Sequence, residues 1–205
     1  MRYLPNGLTL LRILFSPILF YMILVSSSLT DYLFCYYLFV FAGLTDIYDG
    51  TLARRQKNIT TFGKFVDPIA DKFLLAATLI PFYMLSSKLE ICRHVTLPIL
   101  IILLGREVLV TALRYYSMGK GLVFSASRLA KFKTAFQMFF IGSILVQMFH
   151  TRMLIEHPGL AYGWFNPFHD LLNMVVISVV VALSIASAVE YLVRNLPLLI
   201  TPSSA

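Results

Sequence analysis

The chain has 205 residues, of which 59% are hydrophobic and only 13% charged, and its mean hydropathy is +0.80. A soluble domain carries roughly a quarter charged residues, so this composition excludes an ordinary soluble globule and indicates helices in a bilayer. The net charge of +7 does not point to nucleic acid, because no soluble segment is available to present a basic face. Basic residues beside apolar runs read instead as topology signals and contacts to anionic lipid.

Six apolar runs are each long enough to cross a bilayer at about 20 residues: 8–26, 32–54, 62–86, 95–116, 129–149 and 168–193. Turn-forming stretches separate them, SSSLTD, RQKNITT, SSKLEICRH, SMGKGLVFSAS and HPGLAYGWFNP. The first run resembles a signal peptide, but no small-residue cleavage site follows and Arg12 interrupts it, so an uncleaved helix is expected. No repeat or linker divides the chain, and residues 1–205 read as a single all-α membrane domain, a six-helix bundle. Cys35 and Cys92 give neither a disulfide framework nor metal-ligand spacing.

With the N-terminus placed in the cytoplasm, twelve basic residues fall on the cytoplasmic side and three, Lys88, Arg93 and Arg152, on the other. That asymmetry predicts both termini inside. His94, His150, His157 and His169 fall at the non-cytoplasmic ends and are assigned no chemistry, while Tyr162, Trp164 and Phe165 read as an interfacial aromatic belt.

The second and third runs hold the informative charges. Asp46, Asp49, Gly50 and Ala53 are spaced i, i+3, i+4, i+7 and share one helix face. Asp67 and Asp71, with Gly63 one turn earlier, share a face of the next helix, which the short connection makes an antiparallel neighbour. Asp46 lies about 21 Å along its helix and Asp67 and Asp71 roughly 8 to 14 Å along theirs, so all four carboxylates reach similar depth below the cytoplasmic surface. An aspartate at the centre of a membrane helix costs about 2.5–3.5 kcal/mol, and four together repel one another. Hard divalent cations, Mg²⁺ or Mn²⁺, would offset both penalties, and four acids suffice for two ions, an arrangement that clamps a phosphoryl group in displacement. Gly50, Ala53 and Gly63 leave room beside the acids, and Arg54 projects toward the same mouth, where it can pair with phosphate oxygens.

Residues 46–71, DIYDGTLARRQKNITTFGKFVDPIAD, follow the pattern D-x2-D-G-x2-A-R-x8-G-x3-D-x3-D at all eight fixed positions. By this motif the chain resembles the CDP-alcohol phosphotransferases. The resemblance implies a six-helix, usually dimeric membrane enzyme that moves a phosphatidyl or similar group from a CDP-linked donor to an alcohol and releases CMP. It implies further that Asp46, Asp49, Asp67 and Asp71 hold two metal ions and that Asp71 is also the general base on the acceptor hydroxyl. Gly50, Arg54 and Thr60 would contact the CDP portion, and the stretch from Asn6 to Thr9 would contact the donor from the N-terminal side.

PNGLTLLRI, FGKFVDPIADK, GREVLVTALR and KFKTAFQM resemble the bacterial phosphatidylglycerophosphate synthase branch of that family. The chain departs from that branch at Ser127, Arg128, Leu129 and Ala130, where Ser-Trp-x-Gly is expected. This branch implies CDP-diacylglycerol as donor, sn-glycerol 3-phosphate as acceptor, and a multi-pass inner-membrane enzyme with its active site facing the cytoplasm. Serine, inositol phosphate or phosphatidylglycerol are the rival acceptors within the family. A cation or proton transporter is the rival class, but its paired, Gly/Pro-broken helices in two related halves are not evident. The acceptor phosphate needs cations, and Arg106, Arg114, Lys131 and Lys133 are the candidates. Arg106 with Glu107 could instead form a structural pair. Lys131 and Lys133 point about 200° apart on an ideal helix, so the reading favours Lys131 together with Arg106 and Arg114.

Overall fold

The computed structural model describes residues 4–56, 61–119, 128–157, 159 and 165–200, and the side chains of 9–45, 69–119, 128–157, 159 and 165–195. Among them run six α-helices: α1 (Leu4–Val25), α2 (Leu29–Gln56), α3 (Thr61–Leu85), α4 (Leu97–Gly119), α5 (Arg128–Glu156) and α6 (Phe165–Ile200). Their order matches the six apolar runs. The helices outrun those runs where polar residues extend them, α2 beginning at Leu29, α5 reaching Glu156 and α6 reaching Ile200.

Local chemistry sets the breaks. At the start of α2 the Asp31 amide donates to Ser28 Oγ (3.2 Å), and Asp31 Oδ2 accepts from the Ser28 amide (3.0 Å) and the Ser27 amide (3.2 Å). This reciprocal cap satisfies amide donors that the first turn cannot pair internally. These hydrogen bonds, led by the one from the Ser28 amide, hold the Asp31 carboxyl below the usual carboxylate range. Between α3 and α4 the chain makes a single 3-10 turn, Glu90–Cys92, that folds inward and buries Cys92 and Val95 completely. Burial pushes the Cys92 thiol up to about 12.

Helix α1 packs against both α2 and α3, which among the described residues meet through α1 and not as the direct neighbours their short connection suggested; α2 packs against α5, α5 against α6, and α4 against α3 and α6. The shared core comprises Leu19 and Ile23 of α1, Cys35 and Phe39 of α2, Leu74 and Phe82 of α3, Leu103 of α4, Phe140 and Ile144 of α5 and Val180 of α6. The outward faces are apolar too: Leu14, Ile101, Val108, Phe132 and Val193 are each more than half exposed. Apolar surface this extensive is foreign to a soluble monomer. A bilayer tolerates it because every spanning backbone group is satisfied within its own helix. Among the described residues, α5 and the Phe165–Asn195 part of α6 are long and apolar enough to cross a membrane, and Thr9–Val25 and Leu29–Thr45 are shorter apolar stretches.

Candidate active site

Alternation of helix direction gathers the start of α1, the end of α2, the starts of α3 and α5 and the end of α4 at one end of the bundle. A cavity of about 690 Å³ opens there, lined by residues of all five helices. That is within the ordinary range for a small-molecule site.

Asp71, in the third turn of α3, faces this cavity and is about half exposed. Its Oδ1 accepts a charge-assisted hydrogen bond from Arg12 Nη1 of α1. Arg12 is almost wholly buried, and with Thr9 and Ser16 it forms a buried polar stripe at i−3, i and i+4 on α1. The Ser16 hydroxyl donates to the Arg12 carbonyl (2.8 Å). Arg12, one of the twelve basic residues counted from the sequence on the cytoplasmic side, thus has a place in the site that a topology signal alone does not convey. The interruption of an apolar run by an arginine at helical spacing from Thr9 and Ser16 was the available clue.

The four cation candidates converge on the same space. Arg106, Arg114, Lys131 and Lys133 all line the cavity, as does Lys72 next to Asp71. Lys133 is 2% exposed and points into the bundle, whereas Lys131 is exposed. The sequence favoured Lys131 over Lys133, but both border the same cavity, with Lys133 as its inner wall and Lys131 as its rim. Arg106 and Arg114, both at the cavity, share the inward side of α4, as their spacing suggested.

Glu107 organises these cations. Its Oε1 accepts from Arg106 Nη1 (2.8 Å) and from the Lys133 ammonium, and Lys72 Nζ lies 3.7 Å from its Oε2. Arg106 also donates through Nη2 to Ser187 Oγ of α6 (3.0 Å). Among the described residues, the lining carries six basic residues against two acidic ones, Asp71 and Glu107. A low-dielectric wall of that composition favours anions. Gln137, 2% exposed and one turn beyond Lys133, completes the inner wall.

The remaining predicted site residues are only partly described. Asp46, Asp49, Gly50 and Arg54 occur on the continuous helix α2, Asp67 on α3 and Asn6 on α1, but their side chains lie outside the described residues, as does Thr60 entirely. Asp46 and Asp49 are one turn apart on α2, and Asp67 and Asp71 one turn apart on α3. Asp71 offers hard oxygen donors toward the cavity, and that chemistry fits Mg²⁺ or Mn²⁺. Thr9 is buried.

The opposite end of the bundle holds a second polar group. Arg93 and His94 (Nε2, 2.8 Å) both pair with Asp170 at the start of α6. Phe165 stacks on His150 (3.9 Å between ring centroids) and on His169 (4.0 Å). His150 Nδ1 lies 3.1 Å from Asn166 Oδ1, and Asn173 donates to Gln147 Oε1 (2.7 Å). Phe165, read from the sequence as part of an aromatic belt, is here an internal stacking partner; Tyr162 and Trp164 lie outside the described residues.

A helical, apolar-faced bundle whose cavity has a mostly basic described lining fits a membrane enzyme acting on anionic substrates. The sequence matches the family model for CDP-alcohol phosphatidyltransferase over residues 2–189, and the chain belongs to that family. It is similar to proteins named CDP-diacylglycerol--glycerol-3-phosphate 3-phosphatidyltransferase from several bacteria. The one from Rickettsia typhi is 41% identical over 71% of this chain and 78% of its own. The one from Pectobacterium atrosepticum is 34% identical over 77% and 83%, and the one from Haemophilus influenzae 30% over 92% and 91%.

Proposed function

We propose that this protein transfers a phosphatidyl group from CDP-diacylglycerol to sn-glycerol 3-phosphate, giving phosphatidylglycerophosphate and CMP in phospholipid synthesis. Family membership and relatives of that name along most of the chain support the reaction. The observation that carries the acceptor is the cavity itself, in which Asp71 and the cations Arg106, Arg114, Lys131 and Lys133 share one wall-to-wall space. A phosphate dianion fits the described lining, which has six basic and two acidic residues. The ammonium of serine would be repelled by it.

In this reading Asp71 takes the proton from the acceptor hydroxyl while the cationic wall holds the acceptor's phosphate. A bond forms from that oxygen to the lipid-side phosphorus as the bond from the same phosphorus to the CMP oxygen breaks. Arg12 fixes the orientation of the Asp71 carboxylate. Asp46, Asp49, Asp67 and Asp71 would hold two Mg²⁺ or Mn²⁺ ions, with Asn6, Thr9, Gly50, Arg54 and Thr60 against the CDP portion. When bound, the ions supply charge neutralisation of the donor diphosphate and of departing CMP.

The same reading has all six helices crossing a bacterial inner membrane, both termini and the cavity on the cytoplasmic side, and two copies associating as a homodimer. The excess of basic residues at the cavity end supports that orientation. The test is turnover of labelled CDP-diacylglycerol by purified protein with a panel of acceptors. Glycerol 3-phosphate should be consumed, serine, inositol phosphate and phosphatidylglycerol should not, and EDTA should stop the reaction until Mg²⁺ or Mn²⁺ is added. Preference for another acceptor, or full turnover after chelation, would overturn the corresponding part.

A further inference from the structure

We infer that Glu107 is a positioning residue for the acceptor, tying the wall that holds its phosphate to the helix that carries the base. The inference rests on glycerol 3-phosphate as acceptor. Glu107 lies on α4 at the cavity lining and is 14% exposed, so it belongs to the wall itself. One of its oxygens is shared by Arg106 of its own helix and Lys133 of α5, and the other faces Lys72 of α3, the residue after Asp71.

Two consequences follow from this geometry. One carboxylate among three converging cations fixes where each stands and leaves a net charge of +2. That residual charge matches a phosphate dianion at neutral pH. The carboxylate also bridges three helices, so it sets how far the phosphate contacts on α4 and α5 stand from Asp71 on α3. An acceptor with its hydroxyl and phosphate at opposite ends is sensitive to that spacing, because a displacement of about 1 Å in a reacting geometry can cost about a hundredfold in rate. The nucleotide donor, bound through other residues, is not.

Charge and positioning predict opposite outcomes on removing Glu107. A purely electrostatic role predicts that a more positive wall holds every anion more tightly, glycerol 3-phosphate included. A positioning role predicts poorer use of the acceptor while a simple anion is held as well as before. The experiment is steady-state kinetics of Glu107→Gln in the purified full-length protein, with inorganic phosphate as the competing anion against glycerol 3-phosphate. The expected result is a fall of about tenfold or more in kcat/KM for glycerol 3-phosphate. The KM for CDP-diacylglycerol should stay within about twofold, and inorganic phosphate should inhibit no more weakly than in the parent.

Where Glu107→Gln does not accumulate as folded protein, Glu107→Asp decides, since it keeps the charge but shortens the arm; the same split is expected at about three- to tenfold. Parallel weakening of glycerol 3-phosphate and inorganic phosphate, a matching rise in the KM for CDP-diacylglycerol, or an unchanged or improved kcat/KM would each overturn the inference. Failure of the parent protein to use glycerol 3-phosphate at all would instead overturn the acceptor reading on which it rests.

Discussion

Both ends of the bundle gather polar side chains, and they use them differently. At the end away from the cavity, opposite partners meet: Asp170 takes both Arg93 and His94, Asn173 finds Gln147, and Phe165 is stacked on two imidazoles. These contacts join the α3–α4 turn and α5 to the start of α6, and they behave as fasteners. At the cavity end the inventory among the described residues is lopsided, with three cations gathered on the single carboxylate of Glu107, Arg114 beside them and Lys131 at the exposed rim. Buried charge in excess of its protein partners is costly, and an anionic ligand relieves that cost. The lesson is that a polar cluster marks a site when its charges do not balance and space adjoins it.

The sharpest way to break the comparison is at Asp71. Asp71→Asn removes the proposed base and is expected to lower kcat by about 10²–10⁴-fold, while CDP-diacylglycerol still binds in an equilibrium assay. Near-normal turnover would transfer the role of base to another group.

At the fastening end the effect should fall on stability alone. Asn173 is fully buried and its amide is bonded to Gln147. Asn173→Ala, which leaves that partner unsatisfied, is expected to destabilise the fold by about 1–3 kcal/mol. Thermal unfolding in detergent measures this, and turnover per folded molecule should stay within about twofold of the parent. A selective loss of acceptor affinity in this variant would erase the distinction between the two ends.

The smallest effect expected is none. Cys92 is completely enclosed and its thiol is raised to about 12, so at pH 8 it holds almost no thiolate. Maleimide should leave it unmodified in the folded protein and modify it after denaturation, as mass spectrometry of the digested protein would show. Rapid labelling of the folded protein would mean that the turn between α3 and α4 opens readily.

What the sequence made legible follows physical lines. Helix number and order were readable because apolar runs of bilayer length leave few alternatives. That Asp46 and Asp49 fall one turn apart on α2, and Asp67 and Asp71 one turn apart on α3, was readable because both stretches are helical. Helix ends were less legible: polar continuation of α2, α5 and α6 past the apolar runs depends on caps and neighbours, such as the reciprocal bonds of Ser28 and Asp31. Relations between helices were the least legible. The spacing of Lys131 and Lys133 showed that they diverge but gave no physical ground for favouring Lys131, and it is Lys133 that faces inward; nothing local tied Arg12 to a carboxylate 59 positions away or Glu107 to a lysine 26 positions away.

The central claim is that the basic wall of the cavity holds the acceptor's phosphate and not the donor. Arg106→Ala tests it most directly, by comparing KM for the two substrates in one purified preparation. Loss of a charge-assisted contact to phosphate is worth about 1.5–3 kcal/mol, so the KM for glycerol 3-phosphate should rise by about 10- to 100-fold. The KM for CDP-diacylglycerol should change by no more than about threefold. Equal increases for both substrates, or an increase confined to CDP-diacylglycerol, would contradict the account.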